Sequence, residues 1–236
     1  MNMGDHLSKQ FDAELIALRS RVVEMGGLAD EQFVRAIEAL ASGKSMLAEQ
    51  VIANDAAVNA LEVLIDDLCA HIIARRQPAA SDLRMLLGVS KIVSELERIG
   101  DKARKIARLT HAVHDAGVIE SSWIIDLRSL GERARRMLRD ALNAFVRSDL
   151  ETAVTVLRSN RDFAKETSRA TKQLVLRITQ EPTCAPALLD MLSITRAIDR
   201  VADHAANIAE HIVYIVRGTD VRHATLEQIE REALRD

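Results

Sequence analysis

The sequence predicts an all-α protein built as two tandem three-helix bundles related by internal duplication. Apolar residues recur at steps of three and four through nearly the whole chain, the pattern of a helix with one buried stripe. Only 3 of the 236 residues are proline, which leaves room for long uninterrupted helices. An acidic stretch around Glu97 reappears around Asp199. No segment alternates with a period of two between hairpin turns, so strands are not expected. Hydrophobic residues make up 48% of the chain and charged ones 28%, a globular composition and not a disordered one. Aromatics contribute only 3%, so the core must come from Leu, Ile, Val, Ala and Met.

The first helix is drawn by Phe11, Leu15, Leu18, Val22, Met25, Ala29, Phe33, Ala36, Ile37 and Leu40, and Gly43 closes it. Ser45 and Glu49 open a second run, from Leu47 to about Ile73. It stops at Gln77-Pro78, because proline disfavours helical geometry in the residue before it. A third helix starts near Ser81-Asp82 and runs to about Val113, with Gly117 as the next break.

The pattern then starts again. A fourth helix runs from about Ser122 to Val146, a fifth from Leu150 to about Ile178, and a sixth from about Ala187 to Val216. Pro182 and Pro186 separate the last two, as Pro78 separates the second and third. Gly218 caps the sixth helix, and Thr225 to Leu234 suits a short terminal one. Long helices joined by short turns become antiparallel neighbours. Residues 1–116 are therefore expected to form the first bundle, 117–220 the second, and 221–236 a helical tail.

The halves also share sequence. The run from Leu96 to Ala107 aligns with Ile198 to Ala209 at an offset of 102 residues. Arg98/Arg200, Asp101/Asp203, Ala103/Ala205, Ile106/Ile208 and Ala107/Ala209 are identical in it.

Each copy carries a carboxylate pair four residues apart, Glu97 with Asp101 and Asp199 with Asp203. Such a pair shares one helix face, its members about 5–6 Å apart at Cβ, and the like charges cost stability unless a cation lies near. A metal ion is one such cation, and carboxylate oxygens suit Mg²⁺, Mn²⁺, Ca²⁺ or iron. The neighbouring Arg98 and Arg200 are another, as ion-pair partners. About five i,i+4 acidic pairs are expected by chance at this density, so it is the repetition that singles these out. Both pairs are expected to face outward as ligand platforms. Asp55 and Asn59 on the second helix are the leading further ligands, with Glu62 and Asp66 on the same face. On the fifth helix Asn160 aligns with Asp55 but Ala164 with Asn59, which weakens the second site.

Other residues have plainer readings. Cys69 and Cys184, without CxxC spacing, read as two buried small hydrophobes. His204 with His211, and His111 with His114, have spacings that could hold zinc or nickel, although exposed helical histidines are the commoner case. Arg75-Arg76 and the cluster Arg133, Arg135, Arg136 read mainly as solvated faces.

The stretch Gln77-Pro78-Ala79-Ala80-Ser81-Asp82-Leu83-Arg84, followed by Leu96-Glu97-Arg98-Ile99-Gly100-Asp101, resembles the PhoU family of accessory regulators of bacterial phosphate transport. Arg19 to Gly26 and Asp203 to Glu210 resemble it as well, and the likeness extends over about residues 6–218. It implies two tandem three-helix bundles, E(D)xxxD motifs that bind multinuclear metal clusters, and no enzymatic activity. The motif positions are Glu97, Asp101, Asp199 and Asp203, to which the shared face of the second helix adds Asp55 and Asn59, and the expected metal is iron, manganese, zinc or magnesium, the resemblance not saying which. The partners implied are the ATPase of the phosphate ABC transporter and a sensor histidine kinase, with a homodimer as the expected assembly. Asp199 stands where the family more often has Glu, and Ala202 where it often has Gly.

Composition narrows the function further. A net charge of −3 generates no field that would draw in nucleic acid. No apolar run approaches the length of a membrane span and no signal core opens the chain, so a cytoplasmic protein, meeting the membrane only through partners, is expected. The chain has no Walker A sequence, no glycine-rich phosphate loop and no Ser/His/Asp constellation. A helical di-metal enzyme would need Glu-x-x-His at the signature, and Gly100 and Ala202 occupy that position. A metal-free adaptor whose acidic pairs are salt-bridged is the remaining alternative.

Overall fold

A computed structural model describes residues 3–115 and 121–235, and the break expected at Gly117 lies outside them. Seven α-helices follow in order: α1 (Met3–Ser42), α2 (Ser45–Arg76), α3 (Ala80–Asp115), α4 (Ser121–Arg147), α5 (Leu150–Gln180), α6 (Ala185–Arg217) and α7 (Leu226–Ala233). A single 3-10 turn, Pro182–Cys184, joins α5 to α6. Among the described residues no strand occurs, and no helix is long and apolar enough to cross a membrane.

The local chemistry explains the boundaries. Gln77 ends α2 in the left-handed region at φ 46°, its N–H returning to the Ile73 carbonyl, and Pro78 prevents continuation. Asp149 caps α5 by accepting from the Thr152 N–H at 3.1 Å. Thr225 and Gln228 form a reciprocal capping box at the start of α7.

α1, α2 and α3 pack on one another, as do α4, α5 and α6. The two units meet through α3 against α6 and α1 against α4, so their cores merge into one apolar cluster. Phe33, Phe163, Ile99 and Ile198 are fully buried in it. Glycines at the seam let the units approach closely. A Cβ on Gly88 of α3 would stand 2.4 Å from Ile215 Cγ1 of α6, and one on Gly131 of α4 2.7 Å from Ile37 Cδ1 of α1.

Several plain readings need correction. His204 and His211 are buried, not exposed, because both lie on the face of α6 that packs toward α3. Cys69 is buried but Cys184, beside the 3-10 turn, is only half-buried. The basic clusters are largely engaged in ion pairs rather than solvated. Arg76 pairs with Glu14 at 2.7 Å, Arg135 holds both carboxylate oxygens of Asp30 at 2.9 Å, and Arg133 pairs with Glu166.

Candidate functional site

The signature Glu97–Asp101 lies on the face of α3 that looks toward α2. Glu97 and Asp101 are half-buried rather than turned to solvent, Asp55 is buried, and Asn59 is exposed. The cationic side chain beside them is Arg104 rather than Arg98. Its guanidinium reaches Asp55 at 2.9 Å and Asp101 at 2.5 Å, tying α2 to α3. Arg98 points elsewhere, its nearest carboxylate being Glu95 at 3.8 Å.

Electrostatics mark this face as strained by like charge. Burial pushes the Glu97 carboxyl above its ordinary value, and the charges of Asp101, Glu62 and Asp55 push it further. Burial raises Asp55 as well, against the pull of Arg104. Burial and Asp66 raise Glu62, which accepts from Ser94. Two buried acceptors here have no hydrogen-bond partner, Asp55 Oδ1 and Gln32 Oε1. Both adjoin Gly100, where an added Cβ would lie 3.8 Å from the first and 3.1 Å from the second.

The second signature is built differently. Asp199 is half-buried and accepts from the Thr167 hydroxyl at 2.6 Å, while burial raises its carboxyl. Asp203 accepts from Asn160 Nδ2 at 3.2 Å and pairs with the exposed Arg200 at 3.1 Å. Asn160 thus occupies the place that its alignment with Asp55 implied, and Thr167 lies where Glu62 would. The buried Asn160 Oδ1 lacks a partner, as Asp55 Oδ1 does. Neutral hydrogen-bonding groups have replaced two carboxylates.

The donor chemistry of the first face fits an oxygen-seeking cation: four mutually repelling carboxylates and two orphaned acceptors. Among the described residues, however, no three His, Cys, Asp or Glu side chains converge as a ready ion site. Arg104 stands between Asp55 and Asp101, so an ion there would have to take its place. Sequence reasoning missed Arg104, Gln32 and Thr167. Only the first carries a local signal, an Arg three residues past an Asp.

The residues matched by the family model are 22–110 and 127–212, described as the PhoU domain, one match on each three-helix unit. The chain belongs to the PhoU family. It is 41% identical over 231 residues to the phosphate-specific transport system accessory protein PhoU homolog of Pseudomonas putida, covering 98% of this chain and 90% of that one. It is 39% identical over 231 residues to the accessory protein PhoU of Escherichia coli, covering 98% and 95%. PhoU from Pseudomonas aeruginosa superposes with a TM-score of 0.84 at 39% identity, over 89% of this chain and 100% of that one. The phosphate transport system regulatory protein PhoU from Streptococcus pneumoniae gives 0.82 at 29% identity, over 89% and 99%. The two-bundle architecture read from the repeated signature is thus the PhoU fold.

Proposed function

We propose that this chain restrains the phosphate-starvation response in the cytoplasm, as a non-enzymatic adaptor between the ATPase of a phosphate ABC transporter and a sensor histidine kinase. The observation that carries this reading is the match over 98% of the chain, at 39–41% identity, to proteins named as accessory to a phosphate-specific transport system. The fold suits work by contact. Six helices of 27 to 40 residues expose long, rigid faces, and the sequence carries no nucleotide-binding or nucleophile motif.

Metal binding belongs to the same reading. Asp55, Glu97 and Asp101 would hold an ion, with Asn59 and Glu62 the next oxygen donors along α2. When bound, it would supply the positive charge that Arg104 now gives to those carboxylates. At the second signature Asp199 and Asp203 would act with Asn160.

Deleting the gene should leave phosphate-starvation genes expressed when phosphate is plentiful, and the purified chain should retain both the ATPase and the kinase in pull-downs. Normal repression in the deletion strain, or retention of neither partner, would sink the proposal.

A further inference from the structure

Next to the first carboxylate signature, α3, α6 and the segment after α6 form an open cavity of about 420 Å³ lined only by polar residues. We propose that this cavity binds a small oxyanion through Lys91, Arg98 and Arg222. The site goes beyond the adaptor reading and does not depend on it.

The three cations have donors to give. The Lys91 ammonium makes no ion pair among the described residues and stands 5.2 Å over the Tyr214 ring. Arg98 has its nearest carboxylate at 3.8 Å, beyond hydrogen-bond reach. Arg222 spends one edge on Asp220, at 2.9 Å and 2.5 Å.

Two nearby carboxylates stay ionised but are engaged by partners, Glu95 through Oε2 alone. Glu95 accepts from His204 Nδ1 at 2.6 Å and from Asn207 Nδ2 at 3.0 Å. Asp220 is held by Arg222 well below the ordinary carboxylate range. Glu210 is the exception: burial, with Asp220 behind it, lifts its carboxyl to about 7. Below that pH it offers an O–H. Burial likewise drops His211 to about 4, so at neutral pH its ring is uncharged and retains one N–H to donate. Ser90 and Ser94 face the cavity, but their hydroxyls are given to Asp66 and Glu62. The result is a pocket whose three cations keep donors that its own carboxylates leave unfilled, walled by Glu95 at 8% and His211 at 5% exposure. An oxyanion fills that deficit through charge-assisted hydrogen bonds. The duplication supplies no second copy, because Ser193 and Ala197 stand where Lys91 and Glu95 do.

The test is calorimetric titration of the full chain with inorganic phosphate and, separately, sulfate. Saturable binding of either ion is expected, and any preference identifies the anion. Lys91→Gln with Arg98→Gln should weaken it about tenfold or more, while Arg128→Gln, the same kind of charge loss on distant α4, should leave it unchanged. Sulfate does not titrate near neutrality, so its affinity should fall as pH rises through about 7, and Glu210→Gln should flatten that fall. The groups facing Glu210 are Lys91, Glu95, Asp220, Arg222, His204 and His211, and burial holds His211 near 4, well below that range. Imidazole NMR on the wild-type chain gives a reading independent of variant folding: phosphate should move the His211 resonances and leave His111 in place. Failure of both anions to saturate the chain, or equal affinity in the Lys91/Arg98 variant, overturns the proposal.

Discussion

His204 Nδ1 lies 2.6 Å from Glu95 Oε2, a buried contact that fastens the second three-helix unit to the first. Asn207 adds a 3.0 Å hydrogen bond to the same oxygen. Burial works against ionisation of Glu95, yet these hydrogen bonds carry its carboxyl below the ordinary value. Removing His204 leaves a buried carboxylate short of a partner, the costly way to break such a pair. His204→Ala should therefore destabilise the chain by about 3 kcal/mol in urea unfolding. Replacing both residues with leucine should recover much of that loss. Additive losses in the double-mutant cycle would deny the coupling.

The glycines at the seam give a second expectation. Gly131→Ala places a methyl 2.7 Å from Cδ1 and 2.8 Å from Cγ1 of Ile37, which is β-branched and buried. Alanine gains up to about 1 kcal/mol of helix propensity, but overpacking a fixed neighbour costs about 1–3 kcal/mol. The variant should lose about 1 kcal/mol net. Gly27, with nothing within 4 Å of its Cβ position, should instead gain about 0.5–1 kcal/mol as alanine. Equal stabilisation of the two variants would show that α1 and α4 are not in close contact at Gly131.

Local chemistry wrote most of this fold into the sequence. Apolar steps of three and four, Pro78, Gly218 and the Thr225 cap set the helices without reference to distant residues. The signature pairs were legible for the same reason, since i and i+4 share a face on any helix. What lay across from them was not legible. Exposed Ala53, Ala56, Ala57 and Val63 make α2 apolar nearly all round, so its sequence does not say which face is buried. That ambiguity hid the approach of Arg104 to Asp55. Glu95 and His204 are 109 residues apart, and their pairing depends on how α3 crosses α6.

Proton linkage at Glu210 and His211 gives opposing slopes. His211 is lowered from 6.5 to about 4, so its contribution is complete above pH 6.5 and is lost as pH falls to about 4. Glu210 is raised from 4.5 to about 7, so its contribution is complete below pH 4.5 and is lost as pH rises through about 7. Between these limits the two offset each other. Taking the difference between wild type and Glu210→Gln isolates the glutamate. Wild type should lose about 2–3 kcal/mol relative to the variant between mildly acid and mildly alkaline pH. Urea unfolding in buffers free of phosphate and sulfate checks this, and a pH-independent difference refutes it.

The two signatures, alike in sequence, should respond unequally to loss of their arginines. Arg104 is two-thirds buried and bridges Asp55 and Asp101 among further carboxylates. Arg104→Met leaves that group uncompensated and should cost about 2–3 kcal/mol at neutral pH. Burial already raises Asp55, so its ionisation opposes folding. The deficit should therefore grow as pH rises through the carboxylate range and vanish where Asp55 is protonated in both states. Millimolar Mn²⁺ should restore the loss in Arg104→Met, because the ion can take the vacated place, and should restore nothing once Asp101→Asn is added. Arg200 is an exposed partner of Asp203, so Arg200→Met should cost about 0.5 kcal/mol or less. Mn²⁺ should do little there, since Asn160 and Thr167 have replaced the carboxylates that make the first face repulsive. Equal rescue of both variants would mean that the ion reads only the shared Asp-x-x-x-Asp or Glu-x-x-x-Asp spacing. Rescue confined to Arg104→Met would mean that charge across the helix pair, not the motif alone, decides where a cation goes.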